Sequence, residues 1–171
     1  MQHIIFWAIF LLIGACETEP WSVQTLPGEV VITDERLEPY MDTIQKAVGG
    51  YNDKFVKPIF YLKVDFGTKK TCGRIYMHVV DHNDGGEAHA DECKQIQSIS
   101  KDVLDSGDGL RLTIQHELGH GLGLRHSDDI YSIMHYTNEP ETWDAKNHVW
   151  LQHLTEKDLQ NIVDKFGVSL K

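Results

Sequence analysis

The feature that most constrains this chain is the spacing of three of its ten histidines. His116 and His120 stand four residues apart in the run His116-Glu117-Leu118-Gly119-His120, and His126 follows six residues later. On an α-helix, positions i and i+4 lie about 40° apart around the axis, so both imidazoles project from one face. The surrounding residues predict that helix: Leu110, Ile114, Leu118 and Leu122 recur every four residues as one apolar stripe. Two neutral imidazoles on one face can reach a single metal ion, and zinc takes them at about 2.0–2.1 Å. His126 cannot stay on that face if the helix continues. The chain must leave the helix and turn back, and Gly123 has the backbone freedom for the turn. Three protein ligands leave the fourth position of a tetrahedral ion open to water, the arrangement of a catalytic site and not of a closed structural one. Glu117 then stands where a general base for that water belongs. From this chain's own His, Glu and Gly frequencies, such a spacing arises by chance with a probability on the order of 10⁻⁴, so incidental histidines explain it poorly.

The whole pattern, H-E-x-x-H-x-x-G-x-x-H over His116 to His126, resembles the metzincin signature. Ser132-Ile133-Met134-His135-Tyr136 is similar to the metzincin Met-turn, which implies that Met134 forms an apolar base beneath the three imidazoles. Two branches are echoed. His116 to Ser127, the short separation from His126 to Met134, and Leu154-Thr155-Glu156-Lys157-Asp158-Leu159-Gln160-Asn161-Ile162 resemble the matrixins. The Met-turn itself looks more like that of the astacins. There the Tyr two residues after the Met helps stabilise the transition state, which implies an oxyanion role for Tyr136; a packed aromatic is the alternative.

The resemblance implies an α+β, metzincin-like fold. Its parts are a twisted mixed β-sheet, an active-site helix, a C-terminal helix, and a zinc cleft between upper and lower subdomains. The implied function is a zinc-dependent endopeptidase with one catalytic Zn2+ on His116, His120 and His126 and with Glu117 as general base. The implied partner is a protein or peptide, extended along a strand edge, with a side-chain pocket set by the loop from Thr137 to His153. Trp143 and Trp150 either line that pocket or cover core. Gly85-Gly86-Glu87-Ala88-His89-Ala90-Asp91 resembles a matrixin loop that holds structural zinc and calcium. Asp81, His82, Asp84, His89 and Asp91 are therefore candidates for a second zinc or a calcium, against a plain solvated acidic loop. The rival functions are a single-substrate processing enzyme and a binding module on the same scaffold.

Elsewhere the pattern predicts a strand over Glu29 to Thr33. A helix follows, capped by Asp34 and ended by Gly49-Gly50. Further strands are predicted over Ile59–Val64 and Arg74–Val80, then a polar loop from Asp81 to Asp91 and a short strand over Ile96–Ile99. The last helix runs from Leu154 to Gly167, with Thr155 as N-cap, Asp158 three residues on, and Leu159, Ile162, Val163 and Phe166 as its apolar face.

The start of the chain differs in kind from the rest. Residues 1–15 hold no Lys, Arg, Asp or Glu, and Ile4 to Ile13 is a ten-residue apolar run. That is too short to span a bilayer and suits the apolar core of a secretory signal. Ile13-Gly14-Ala15-Cys16 resembles the lipobox of bacterial lipoproteins, which implies lipidation at Cys16; an ordinary signal cut near Ala15 is the alternative. The expected organisation is a signal peptide over 1–15, a lipidated Cys and tether over 16–28, and a catalytic domain over 29–171. Both readings place the protein outside the cytoplasm, as a membrane-anchored lipoprotein at the periplasmic or cell surface or as a secreted protein. Membrane contact is expected only through Cys16. With Cys16 lipidated, Cys72 and Cys93 are the remaining pair. A bridge between them closes a loop of about 20 residues and contributes about 3 kcal/mol; two free, buried thiols are the alternative. Sixteen Lys plus Arg against 26 Asp plus Glu give a net charge of −10, which opposes binding to a phosphate backbone, so no nucleic-acid partner is expected. A chain of 171 residues fits one catalytic domain, expected to be a monomer.

Overall fold

The run Val30-Val31-Ile32 is apolar at every position, which suits a strand covered on both faces inside a parallel sheet. It occupies that place. The computed structural model describes residues 22–67, 69–81, 86–91, 94–135, 142–144 and 149–171, with the backbone alone over 86–91 and at 94, 96, 143, 149 and 150. Strands β1 (Gly28–Ile32), β2 (Phe60–Val64), β3 (Arg74–Val80), β4 (Gly86–Asp91) and β5 (Lys94–Ser100) form one sheet in the order β2-β1-β3-β5-β4. The first four in that order run parallel, and β4 pairs antiparallel with β5 at the edge. Val30, Val31 and Ile32 are fully buried.

The connection from β1 to β2 is a 3-10 turn over Glu35–Tyr40 followed by α1 (Met41–Asn52). Asp34 caps it, accepting the Arg36 backbone N–H at 3.0 Å, and also accepts the Val79 N–H of β3 at 3.0 Å. Hydrogen bonding to the Arg36 side chain, aided by these two N–H groups, holds the Asp34 carboxyl at about 2. After β5 come the short helix α2 (Lys101–Leu104) and the long helix α3 (Asp108–Gly121).

Three departures from the sequence expectations have physical causes. Helix α1 does not stop at Gly49-Gly50 but runs on to Asn52. A Cβ at Gly50 would collide with the Gln115 side chain of α3, so this glycine permits close helix packing and does not end the helix. The stretch expected as a polar loop contains β4. As an edge strand it needs no apolar alternation, which is why its composition hides it. Residues before 29 are not all tether. Val23 is 1% exposed and its N–H donates to the Gly121 carbonyl at 2.9 Å, so the packed unit already includes residues 22–28.

Beyond α3 the chain builds a second part. It includes β6 (Trp143–Asp144) paired with β7 (Val149–Trp150) and ends in α4 (Glu156–Phe166). Helix α4 has the expected ends: Thr155 and Asp158 form a reciprocal capping box, and Gly167 stops the helix at φ +64°. Ile162 is buried, with Leu159, Val163 and Phe166 packed around the core. Among the described residues no helix is long and apolar enough to cross a membrane.

Candidate metal centre

His116 and His120 sit one turn apart on α3, and each has its ring fixed by a backbone carbonyl. Nδ1 of His116 lies 2.8 Å from the Ile133 carbonyl, and Nδ1 of His120 lies 3.0 Å from the Leu124 carbonyl. A carbonyl only accepts, so both Nδ1 atoms donate and both Nε2 atoms present lone pairs. Those Nε2 atoms are 3.1 Å apart, and Nε2 of His126 is 3.3 Å from that of His116. Lone pairs at that separation repel unless a cation lies between them. A tetrahedral ion with bonds of about 2.0–2.1 Å has ligand–ligand edges of about 3.3–3.4 Å. The donor set therefore fits zinc in both chemistry and spacing. Among the described residues it is the one group of three His, Cys, Asp or Glu side chains able to hold an ion.

The path to His126 depends on the end of α3. Gly123 has φ +82°, a conformation that disfavours any side chain, and its N–H donates to the His120 carbonyl at 2.8 Å. Leu124 then donates its N–H to the Gly119 carbonyl at 3.0 Å while its own carbonyl takes the His120 ring. One residue thus closes the helix and orients the His120 ring. Beneath the helix Met134 is fully buried against Gly119, where a Cβ would collide with the Met134 sulfur and stand 2.8 Å from the Tyr51 hydroxyl. That hydroxyl donates to the Gln115 carbonyl at 2.8 Å, and burial pushes the phenol well above its usual range. Glu117 lies on α3 between the two histidines and is 4% exposed.

Burial, with the neighbouring His120 adding to it, lowers His116 from 6.5 to about 3; burial also lowers His120 and His126. The imidazoles are thus kept neutral, as metal ligation requires. A linkage effect follows. Between about pH 6.5 and pH 3 the unfolded chain binds the proton that folded His116 refuses. Stability is therefore full above pH 6.5 and declines as the pH falls towards 3. The urea midpoint of chelator-treated protein is expected to drop between pH 7 and pH 5; an unchanged midpoint contradicts this. His126→Ala removes the third ligand and is expected to weaken zinc binding more than about 100-fold in a competition titration. Stoichiometric, tight retention counts against His126 as a ligand.

The structure brings together His116, His120 and His126, with Glu117 buried on the same helix and Met134 packed against Gly119. Tyr136, Cys93 and Cys16 lie outside the described residues. Cys72 is disulfide-bonded. Asp81 is exposed and pairs with Arg36 at 3.1 Å. His82 and Asp84 fall outside the described residues, as do the side chains of His89, Asp91, Trp143 and Trp150. The carbonyls of Ile133 and Leu124 were invisible in the sequence, since every residue carries one. Gly119 did leave a signal, a side-chain-free position inside a helix that otherwise gains from larger residues.

A parallel sheet with one antiparallel edge strand, a helix carrying two histidines one turn apart and a turn that returns a third define a metzincin-like fold. The Matrixin peptidase family profile matches residues 63–167, more than half of the chain, and the chain belongs to that family. That family is one of peptidases. Two solved structures share the fold. Metalloproteinase-II from Bacteroides fragilis superposes with a TM-score of 0.54 at 15% identity, over 85% of this chain and 55% of its own. An archaemetzincin from Methanopyrus kandleri gives 0.51 at 12% identity, over 81% of this chain and 94% of its own. The chain thus spans little more than half the length of the Bacteroides protein. A comparison with curated proteins finds no match.

Proposed function

We propose that the protein is a zinc-dependent endopeptidase. The observation that carries this reading is the convergence of three Nε2 atoms at a helix that also carries the buried Glu117 carboxylate. A closed structural site would have no use for that carboxylate. His116, His120 and His126 would hold the zinc, which when bound would supply Lewis acidity to the reacting carbonyl and water. Glu117 accepts the proton of the attacking water and delivers it to the leaving amine nitrogen. Its burial keeps bulk water from competing for that proton. Tyr136, two residues beyond Met134, stabilises the tetrahedral oxyanion through its phenolic O–H.

The substrate is an extended peptide paired with β4, which ends the strand order of the sheet and lies against α3. The loop Thr137 to His153 sets the side-chain pocket; within it β7 lies near α3, and the His153 N–H donates to the Tyr131 carbonyl at 2.9 Å. We further assign export through residues 1–15, an anchor at lipidated Cys16, a Cys72–Cys93 bridge and a monomeric state. The test is a diverse peptide pool incubated with the zinc-loaded protein, with and without chelator, and new termini mapped by mass spectrometry. Internal cleavage that chelation abolishes and zinc restores is expected. No cleavage by protein shown to hold zinc contradicts a general endopeptidase.

A further inference from the structure

Three hydrogen bonds connect the C-terminal helix to the first metal-ligand histidine. Asp158, in the first turn of α4, is 4% exposed, and three donors converge on its Oδ2: Ser132 Oγ at 2.8 Å, Thr155 Oγ1 at 2.8 Å and the Thr155 N–H at 2.9 Å. Ser132 is fully buried, and while its hydroxyl donates to Asp158 the same oxygen accepts the Met134 N–H at 3.0 Å. That N–H belongs to the same planar peptide unit as the Ile133 carbonyl, and the two point in opposite directions. The carbonyl accepts Nδ1–H of His116 at 2.8 Å. Holding one end of a rigid peptide aims the other. The turn is also tied by the His135 N–H to the Ser132 carbonyl, the Ile133 N–H to the His153 carbonyl, the Ser132 N–H to the Asp129 carbonyl and the Ser127 N–H to the Met134 carbonyl, and none of these bonds grips the Ile133–Met134 peptide itself.

We propose that Ser132 and Asp158 are positioning residues of the metal centre, which orient the Ile133–Met134 peptide and through it the His116 ring. The proposal rests on the three histidines being the zinc site and does not depend on peptidase activity. The capping carboxylate of α4 thereby acts twice. The oxygen that starts the last helix also sets a metal ligand further along the network.

The test reads zinc affinity by chelator competition and the visible absorption of the cobalt-substituted protein, which reports ligand geometry. Measurements are made well below each variant's melting temperature, with folding checked by circular dichroism. Ser132→Ala and Asp158→Asn are each expected to weaken zinc binding about 10–100-fold and to shift the cobalt bands. The double variant is expected to lose little more than either single one, because both act through one peptide. Ser132→Thr, which keeps the hydroxyl, is expected to restore near wild-type affinity. Thr155→Ala removes the helix cap but leaves the Ser132–Asp158 bond. It is expected to lower the melting temperature while keeping zinc affinity within about twofold and the cobalt spectrum unchanged. Affinities within about twofold of wild type for Ser132→Ala and Asp158→Asn overturn the proposal, as does an equal loss in Thr155→Ala, which marks a merely structural role. If Asp158→Asn fails to fold, the smaller Ser132→Ala change decides. Failure of the wild-type protein to bind zinc at all would instead remove the metal-site reading beneath the proposal.

Discussion

Glu117→Gln is expected to lower kcat by about 10²–10⁴-fold while leaving zinc bound as tightly as in wild type. The range is that of a positioned general base, equivalent to about 3–5 kcal/mol of barrier. The amide keeps the size of the side chain at a site that is 4% exposed, so packing and metal ligation persist and only the capacity to accept a proton is lost. Two measurements separate the possibilities: metal content of the purified variant and turnover of a peptide cleaved by wild type. Low turnover with full zinc supports the base. Wild-type turnover with full zinc removes Glu117 from that role. Loss of zinc together with turnover would show that the carboxylate supports the metal itself.

Gly119→Ala is expected to destabilise the metal-free protein by about 2–3 kcal/mol, against the sign that helix propensity assigns to it. In an exposed helix interior, Gly to Ala gains about 1 kcal/mol. At Gly119 the new Cβ meets the Met134 sulfur and the Tyr51 hydroxyl, both fully buried and unable to retreat without opening the core under α3. The cost falls on the metal centre too, because Met134 shares its peptide with the carbonyl that holds His116. Gly49 is the control. It also lies inside a helix, but nothing stands within 4 Å of a Cβ built there, so Gly49→Ala is expected to stabilise by up to about 1 kcal/mol. Urea unfolding of both variants at one pH checks the pair. Destabilisation of equal size at both positions would mean that the Met134–Tyr51 contact does not set the cost.

Glycines show why parts of this protein were legible in the sequence and others were not. Residues 49 and 50 read as a helix stop because glycine is a common C-cap. Only the position of Gln115, far along the chain, shows that Gly50 is instead a point of close approach between α1 and α3. Strand β4 was hidden for a related reason: its place at the edge of the sheet relaxes the apolar alternation by which strands are recognised. Val23 carried no periodic neighbours, so its burial was equally silent.

Elements whose physical cause is local could be read from the residues alone. The ligand spacing of α3, the Gly123 exit, the buried run of β1 and the capped ends of α4 each follow from periodicity, φ preference or hydrogen bonding within a few residues. Folding in three dimensions decided which carbonyls orient His116 and His120, what lies under Gly119, and that Asp158 reaches the Met-turn through Ser132. Backbone carbonyls have no side-chain identity, and a glycine's missing Cβ acquires meaning only from the atoms that would strike it. Such contacts are set by where distant segments meet, so they become visible only when the chain is folded.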